Sequence, residues 1–267
     1  MKFLWHIVVT VNIGSLVRGK IYSRLCDLKS QNKSGFAVLA DPDKISVDKV
    51  AQLATLCNDS KVDYLLVGGS LLMKDHIEQC IKRFKSESNI PVVLFPGSPA
   101  QVCKSADALL YLSLLSGRNA DLLIGQHVVS APVVRASGIE IISTGYILVD
   151  GGAQTTVSYI SNSMPIPADK PEIALCTAWA GEMQGKHVLY LDAGSGAKNP
   201  ISEDMIRMIS SQTTIPLIAG GGIRTPEKVY SNCMAGANLI IAGNAIEKDP
   251  QLIKEMAAAV RDANNRP

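Results

Sequence analysis

The sequence predicts an α/β chain folded as a single (β/α)8 TIM barrel, modified so that the helix after strand three is reduced or replaced by a loop. Three observations carry that prediction. Short apolar runs alternate with segments of helical periodicity from residue 36 nearly to the end, enough for eight strands. Three of these runs, HVLYLDAGSGA (187–197), IPLIAGGGIRTPE (215–227) and LIIAGNAIEKD (239–249), end in glycine-rich turns. An apolar run that ends in glycine and a capping residue is a buried parallel strand feeding a helix. Finally, only about a dozen residues, 96–107, separate strands three and four, too few for a full crossover helix.

The elements follow in order. FAVLA (36–40) is the first strand and ends in Asp41-Pro42-Asp43; a helix starts near Ser46 and sets Val50, Leu53 and Leu56 on one face. YLLVGG (64–69) is the second strand, with a helix over 73–84 behind it. PVVLF (91–95) and ALLYL (108–112) are the third and fourth. IEIIST (139–144) and GYILVDGG (145–152) together hold the fifth, with a break expected at Gly145. A polar, proline-bearing stretch (153–171) leads to a helix around 172–183. Strands six to eight are the runs before the three glycine turns. Thr225 caps the helix after strand seven, with Pro226 at its first position and Glu227 in its first turn. Leu252, Ile253, Met256 and Val260 stripe the last helix.

Composition agrees with one aliphatic core. Hydrophobic residues make up 47%, charged residues 19% and aromatics only 5%. The net charge of +2, with no lysine or arginine block, argues against nucleic acid as the partner. Six cysteines without a C-x-x-C spacing, and four scattered histidines, read as reduced thiols in a cytoplasmic protein without zinc. No histidine stands in a nucleophilic constellation with serine or cysteine, so triad hydrolysis is unsupported. Residues 1–19 read as an N-terminal extension ahead of a barrel domain at 20–267. Asn12 and Gly14 interrupt the apolar stretch at its start, no A-x-A follows, and it is too short to cross a bilayer. A stable membrane anchor is therefore not expected.

In such a barrel the C-terminal ends of the strands build the active site. Asp41 and Asp43 flank a rigid proline there and suit a hard cation, against the alternative of a solvated turn. Ser70, after Gly68-Gly69, brings a hydroxyl to the same rim. On strand six, Tyr190 and Asp192 alternate with Leu191 and project together to one side. Asp192 precedes Gly194-Ser195-Gly196, where a carboxylate orients or deprotonates a hydroxyl of a bound molecule, or simply caps the following helix. Gly220-Gly221-Gly222 and Gly243-Asn244 follow strands seven and eight, a common phosphate site in barrels. Arg224, His127 and Asn119 are further polar candidates on the rim.

LADPDK (39–44), VGGS (67–70), YLDAGSGA (190–197), AGGGIR (219–224) and AGNAIE (242–247), in this order, resemble the geranylgeranylglyceryl phosphate synthases. LLSGRNADLLIGQHV (114–128) and GYILVDGG extend the match over nearly everything after the first ~20–35 residues, and the YLDAGSGA form resembles the second, bacterial and archaeal group. The resemblance implies a Mg2+-dependent prenyltransferase. Geranylgeranyl diphosphate would alkylate the 3-hydroxyl of sn-glycerol 1-phosphate, releasing diphosphate and forming an ether-lipid precursor. Carried over by motif, Asp41 and Ser70 hold the metal. Tyr190, Leu191, Asp192, Ala193, Gly194, Ser195, Gly196, Gly221, Gly222, Gly243 and Asn244 bind glycerol phosphate, with Asp192 and Tyr190 at the chemistry. Asp192 stands where many relatives carry Glu, so its part as base is the departure from the family pattern. The resemblance also implies a homo-oligomer, and a prenyl groove opened by the reduced segment after strand three. Two other readings stay open on residues alone: a phosphate-binding isomerase of the histidine or tryptophan biosynthesis type, and a non-catalytic phosphate-ligand barrel.

Overall fold

The computed structural model describes residues 19–74 and 76–266, so the expected extension lies, but for Gly19, outside the described residues. Eight parallel strands close into a barrel: β1 (Gly35–Ala40), β2 (Tyr64–Val67), β3 (Val92–Leu94), β4 (Ala108–Leu114), β5 (Glu140–Leu148), β6 (Val188–Asp192), β7 (Leu217–Gly220) and β8 (Leu239–Ala242). β8 returns to pair with β1, aligning Leu239 with Gly35. The main helices are α1 (Lys20–Ser30), α2 (Val47–Ser60), α3 (Ile77–Glu87), α4 (Gln126–Ser137), α5 (Thr156–Ile160), α6 (Pro171–Met183), α7 (Glu203–Gln212), α8 (Pro226–Met234), α9 (Asn244–Lys248) and α10 (Leu252–Asn264).

Strand alternation sorts the apolar residues into two cores. Ala37, Leu66, Leu110, Tyr146, Tyr190 and Ile241 fill the barrel interior. Leu65, Leu109, Leu189, Leu217 and Ile240 face outward and pack under the helices, against Phe84, Ile206 and Met256. α1 closes the bottom of the barrel by burying Ile21 and Leu25 in the interior core. Its start is tied down by Glu140, whose carboxylate accepts the N–H groups of Ile21 (3.0 Å) and Tyr22 (2.7 Å). The first N–H groups of a helix lack intrahelical acceptors, and an acid at the positive end of the helix dipole suits them.

The expected loss of a helix after β3 is borne out. A single 3-10 turn (Pro99–Gln101) stands there. Gln101 fixes it, accepting the Gly97 N–H (2.9 Å) and donating to the Gly69 carbonyl (3.0 Å) on the loop after β2.

Three sequence expectations need correction. β5 runs through Gly145 without a break. The glycine is there for packing, because a Cβ at this position would lie 2.9 Å from Leu115 Cδ1 and 3.1 Å from Leu189 Cδ2. The helix expected over 73–84 begins only at Ile77, since Asp43 draws the Met73 and Lys74 N–H groups (2.5 and 3.0 Å) into a loop. The polar stretch before α6 holds the short helix α5, closed by a reciprocal Thr155–Ser158 capping box. Among the described residues no helix is long and apolar enough to cross a membrane.

Candidate active site

A cavity of about 680 Å³ opens at the C-terminal mouth of the barrel. Asp41 continues the inward parity of Ala37 and Leu39, which places it on the cavity wall beside Ser70. The turn before Ser70 packs on the carboxylate: a Cβ on Gly69 would lie 3.4 Å from Asp41 Oδ1. Asp41 Oδ1 accepts the Asp43 N–H (3.0 Å), and Lys44 Nζ lies 3.3 Å from Oδ2. Lys44 also reaches Glu247 on α9, 3.2 Å from Oε2. Burial opposes the charge on Lys44, but Glu247 and Asp41 outweigh it and hold the ammonium above its ordinary range. One carboxylate and one hydroxyl, with room in front of them, are donors for a hard cation completed by phosphate and water oxygens. Among the described residues no group of three or more His, Cys, Asp and Glu forms an all-protein metal cage.

Opposite this wall, Asp192 ends β6 and is only 6% exposed. Tyr146, its neighbour across β5 and β6, donates its hydroxyl to Asp192 Oδ2 at 2.6 Å, and the Gly194 N–H donates to Oδ1 at 2.7 Å. Burial raises the Asp192 pKa, while these two donors act to lower it. Both phenols stay protonated: burial, with Asp192 beside them, pushes Tyr146 and Tyr190 well above the usual tyrosine range. The rings of Tyr146, Tyr190 and Phe95 pack with centroids 5.2–6.0 Å apart and floor the cavity.

The glycine turns surround Asp192. Gly221 has φ +77, and a Cβ there would lie 2.5 Å from Asp192 Oδ1 and 2.6 Å from the Ala193 nitrogen. Only glycine lets β7 pass that close to the carboxylate. Ser195 Oγ bonds Asn244 Oδ1 (3.2 Å) and ties the loops after β6 and β8 together. Among the described residues, the N–H groups of Ser195, Gly196, Gly221 and Gly222 take no partner within the protein. Gly194, Gly196, Gly221 and Gly222 all have positive φ, a backbone setting in which successive free N–H groups suit an anion.

Of the residues singled out from sequence, Asp41, Ser70, Tyr190, Asp192, Gly194, Ser195, Gly196, Gly221, Gly222, Gly243 and Asn244 line this one cavity. Leu191 and Ala193 do not; their side chains belong to the outer core. Arg224 lines the mouth, but its guanidinium donates to the carbonyls of Ala197 (2.5 Å) and Lys198 (2.7 Å) and braces the β6 loop. Asn119 accepts the Asp121 N–H (3.0 Å) and caps the turn before α4. His127 lies on the far wall, its Nε2 3.2 Å from Ser113 Oγ, and burial lowers its pKa. The sequence pattern gives Tyr146 and Lys44 no individual role. Tyr146 has the right inward parity, but its pairing with Asp192 depends on the register of β5 against β6.

The chain matches the PcrB family over residues 29–261. The chain belongs to that family. It is similar to the geranylgeranylglyceryl phosphate synthase of Chitinophaga pinensis, 59% identical over 247 residues that cover 92% of this chain and 98% of the relative. The synthase of Spirosoma linguale is 50% identical, covering 90% and 96%. Among solved structures, the (S)-3-O-geranylgeranylglyceryl phosphate synthase of Thermoplasma acidophilum, in complex with its substrate sn-glycerol-1-phosphate, superposes with a TM-score of 0.85 at 28% identity. It covers 91% of this chain and 98% of its own. The resemblance read from the motifs therefore holds, and the chain is a prenyltransferase of this barrel class. The isomerase and binding-protein readings fall away.

Proposed function

We propose that the cavity joins geranylgeranyl diphosphate to the 3-hydroxyl of sn-glycerol 1-phosphate, giving geranylgeranylglyceryl phosphate and diphosphate. The observation that supports this reading is that Asp192 and the unpaired N–H groups of Ser195, Gly196, Gly221 and Gly222 line the same cavity. In this reading the nest at Ser195, Gly196, Gly221 and Gly222, with Gly243 and Asn244, holds the acceptor's phosphate. The 3-hydroxyl then points at Asp192. Each Asp192 oxygen already accepts one hydrogen bond and keeps a lone pair for the substrate hydroxyl. As the new C–O bond forms and the allylic carbon–diphosphate bond breaks, the hydroxyl proton passes to Asp192. Tyr146 steadies the carboxylate by its short hydroxyl bond, and Tyr190 shapes the floor beneath it.

The donor's diphosphate faces Asp41 and Ser70, which would hold Mg2+. When bound, this ion stabilises the negative charge that grows on the leaving oxygens. The prenyl tail runs along the apolar wall formed by Phe95, Pro99, Val102, Leu112 and Val157, which the missing helix leaves open. The protein acts in the cytoplasm as a homo-oligomer. The uncharged outer residues Val128, Val129 and Val133 of α4 and Ile173 and Met183 of α6 support self-association.

The test is a lipid-extraction assay with labelled sn-glycerol 1-phosphate, Mg2+ and prenyl diphosphates of several lengths. The folded protein should transfer label into an extractable ether lipid, and Asp41→Ala should lose it. No extractable label at any chain length would sink the proposal.

A further inference from the structure

The reaction brings a diphosphate and a phosphate into one cavity, yet the described residues lining it carry more negative than positive charge. Asp41, Asp43, Asp121, Asp192 and Glu247 stand against Lys44 and Arg224. Arg224 is committed to two backbone carbonyls. Asp43 is likewise committed, to the N–H groups of Met73 and Lys74. Lys44 is the remaining lining cation, and it sits between the two halves of the site. Its backbone is fixed, because its N–H closes the turn onto the Asp41 carbonyl at 3.0 Å. Its side chain is about half exposed (47%) and reaches both Asp41 and Glu247.

This geometry has a consequence for Asp41. Without a cation both of its oxygens are engaged, one by the Asp43 N–H and the other by Lys44. A divalent metal on Asp41 places a second cation beside the ammonium at Oδ2, and repulsion between the two charges drives Lys44 from that oxygen. The displaced group does not leave, since Glu247 faces it with both carboxylate oxygens, at 3.2 and 3.4 Å. It remains at the cavity edge beside the place where the donor's diphosphate meets the metal.

Resting on the reading above, we propose that Lys44 is a two-position cation: it stands in for the metal on Asp41 in the free enzyme. In the loaded enzyme, anchored by Glu247, it binds the leaving diphosphate. The ammonium adds a charge-assisted hydrogen bond to oxygens that become more negative as the allylic bond breaks.

The experiment is calorimetric titration of Mn2+ alone, and of geranylgeranyl diphosphate with Mn2+, into the wild type and Lys44→Met, Lys44→Gln, Lys44→Arg and Asp41→Ala. Loss of Lys44 should move the two affinities in opposite directions. Mn2+ alone should bind about two- to fivefold tighter, because a competing exposed ion pair is gone. Geranylgeranyl diphosphate should bind about tenfold or more weakly, with kcat reduced and the KM for sn-glycerol 1-phosphate unchanged. Lys44→Arg should recover diphosphate binding, and circular dichroism of the Met and Gln variants should match the wild type. A merely structural lysine would not produce opposite signs. Unchanged or weaker Mn2+ binding in both neutral variants overturns the stand-in role, and unchanged diphosphate binding overturns the second position. Failure of the metal reading is seen separately, as Asp41→Ala binding Mn2+ as tightly as the wild type.

Discussion

Replacing Tyr146 with Phe removes one oxygen atom and leaves the ring packed against Tyr190 and Phe95. What is lost is the 2.6 Å hydrogen bond to Asp192 Oδ2, made between two buried groups. A hydrogen bond to a charged acceptor contributes about 1.5–3 kcal/mol, and burial excludes water as a substitute. The loss falls on the ionised form of Asp192, because the hydroxyl donates to the carboxylate. Burial already raises the Asp192 pKa, and removing one of its two opposing donors raises it further. With Asp192 accepting the hydroxyl proton, the acid limb of the kcat/KM profile should therefore move to higher pH. At a pH on that limb, kcat/KM should fall about 10- to 150-fold, from the same 1.5–3 kcal/mol. The assay is steady-state transfer of the prenyl group to sn-glycerol 1-phosphate over a pH series, with thermal denaturation confirming the fold. A Tyr146→Phe profile that superposes on the wild type in height and position would refute the reasoning.

Three further outcomes follow from the same geometry. Asp192→Asn should abolish transfer and remove the contribution of Asp192 to the pH dependence of stability. The sign follows from the raised pKa: the folded state holds its proton longer than the unfolded chain, so stability falls as pH rises above the ordinary carboxylate value of about 3.9. Asp63 shifts the same way and Glu203 the other, so the readout is the difference: from pH 4 to pH 7 chemical denaturation should show the wild type losing stability relative to the variant. Gly221→Ala meets both a positive φ and a Cβ 2.5 Å from Asp192 Oδ1; the backbone alone costs about 1–2 kcal/mol. The KM for sn-glycerol 1-phosphate should rise about tenfold or more, at a site where a phosphate nest is distorted. Glu140→Gln weakens the hold on the start of α1 at the opposite end of the barrel. It should lower stability by about 1 kcal/mol, roughly 2–4 °C in Tm, without changing kcat.

The architecture was legible because its signals are local. Most strands are continuous apolar runs, as strands buried on both faces require, and the turns after β6, β7 and β8 carry their own glycines. The missing helix after β3 was legible as well, from the short separation of two strands. Gly145 misled for a physical reason: a glycine that breaks a strand and a glycine that makes room for packing look alike along the chain. The late start of α3 was hidden because Asp43, a residue some thirty positions away, captures the N–H groups of its first expected turn.

The site divides along the same line. By itself the chain determined which residues stand at strand ends, through periodicity and motif: Asp41, Ser70, Asp192 and the glycine turns. It also distinguished Leu191 from its neighbours by parity. Tertiary structure alone decided the partnerships. Closure of the barrel set Tyr146 against Asp192, brought Glu247 of α9 to Lys44 after β1, and turned Arg224 from the cavity onto two carbonyls. These contacts join residues 26 to 203 positions apart, and their energies depend on register and burial. Neither quantity has a signature along a single chain.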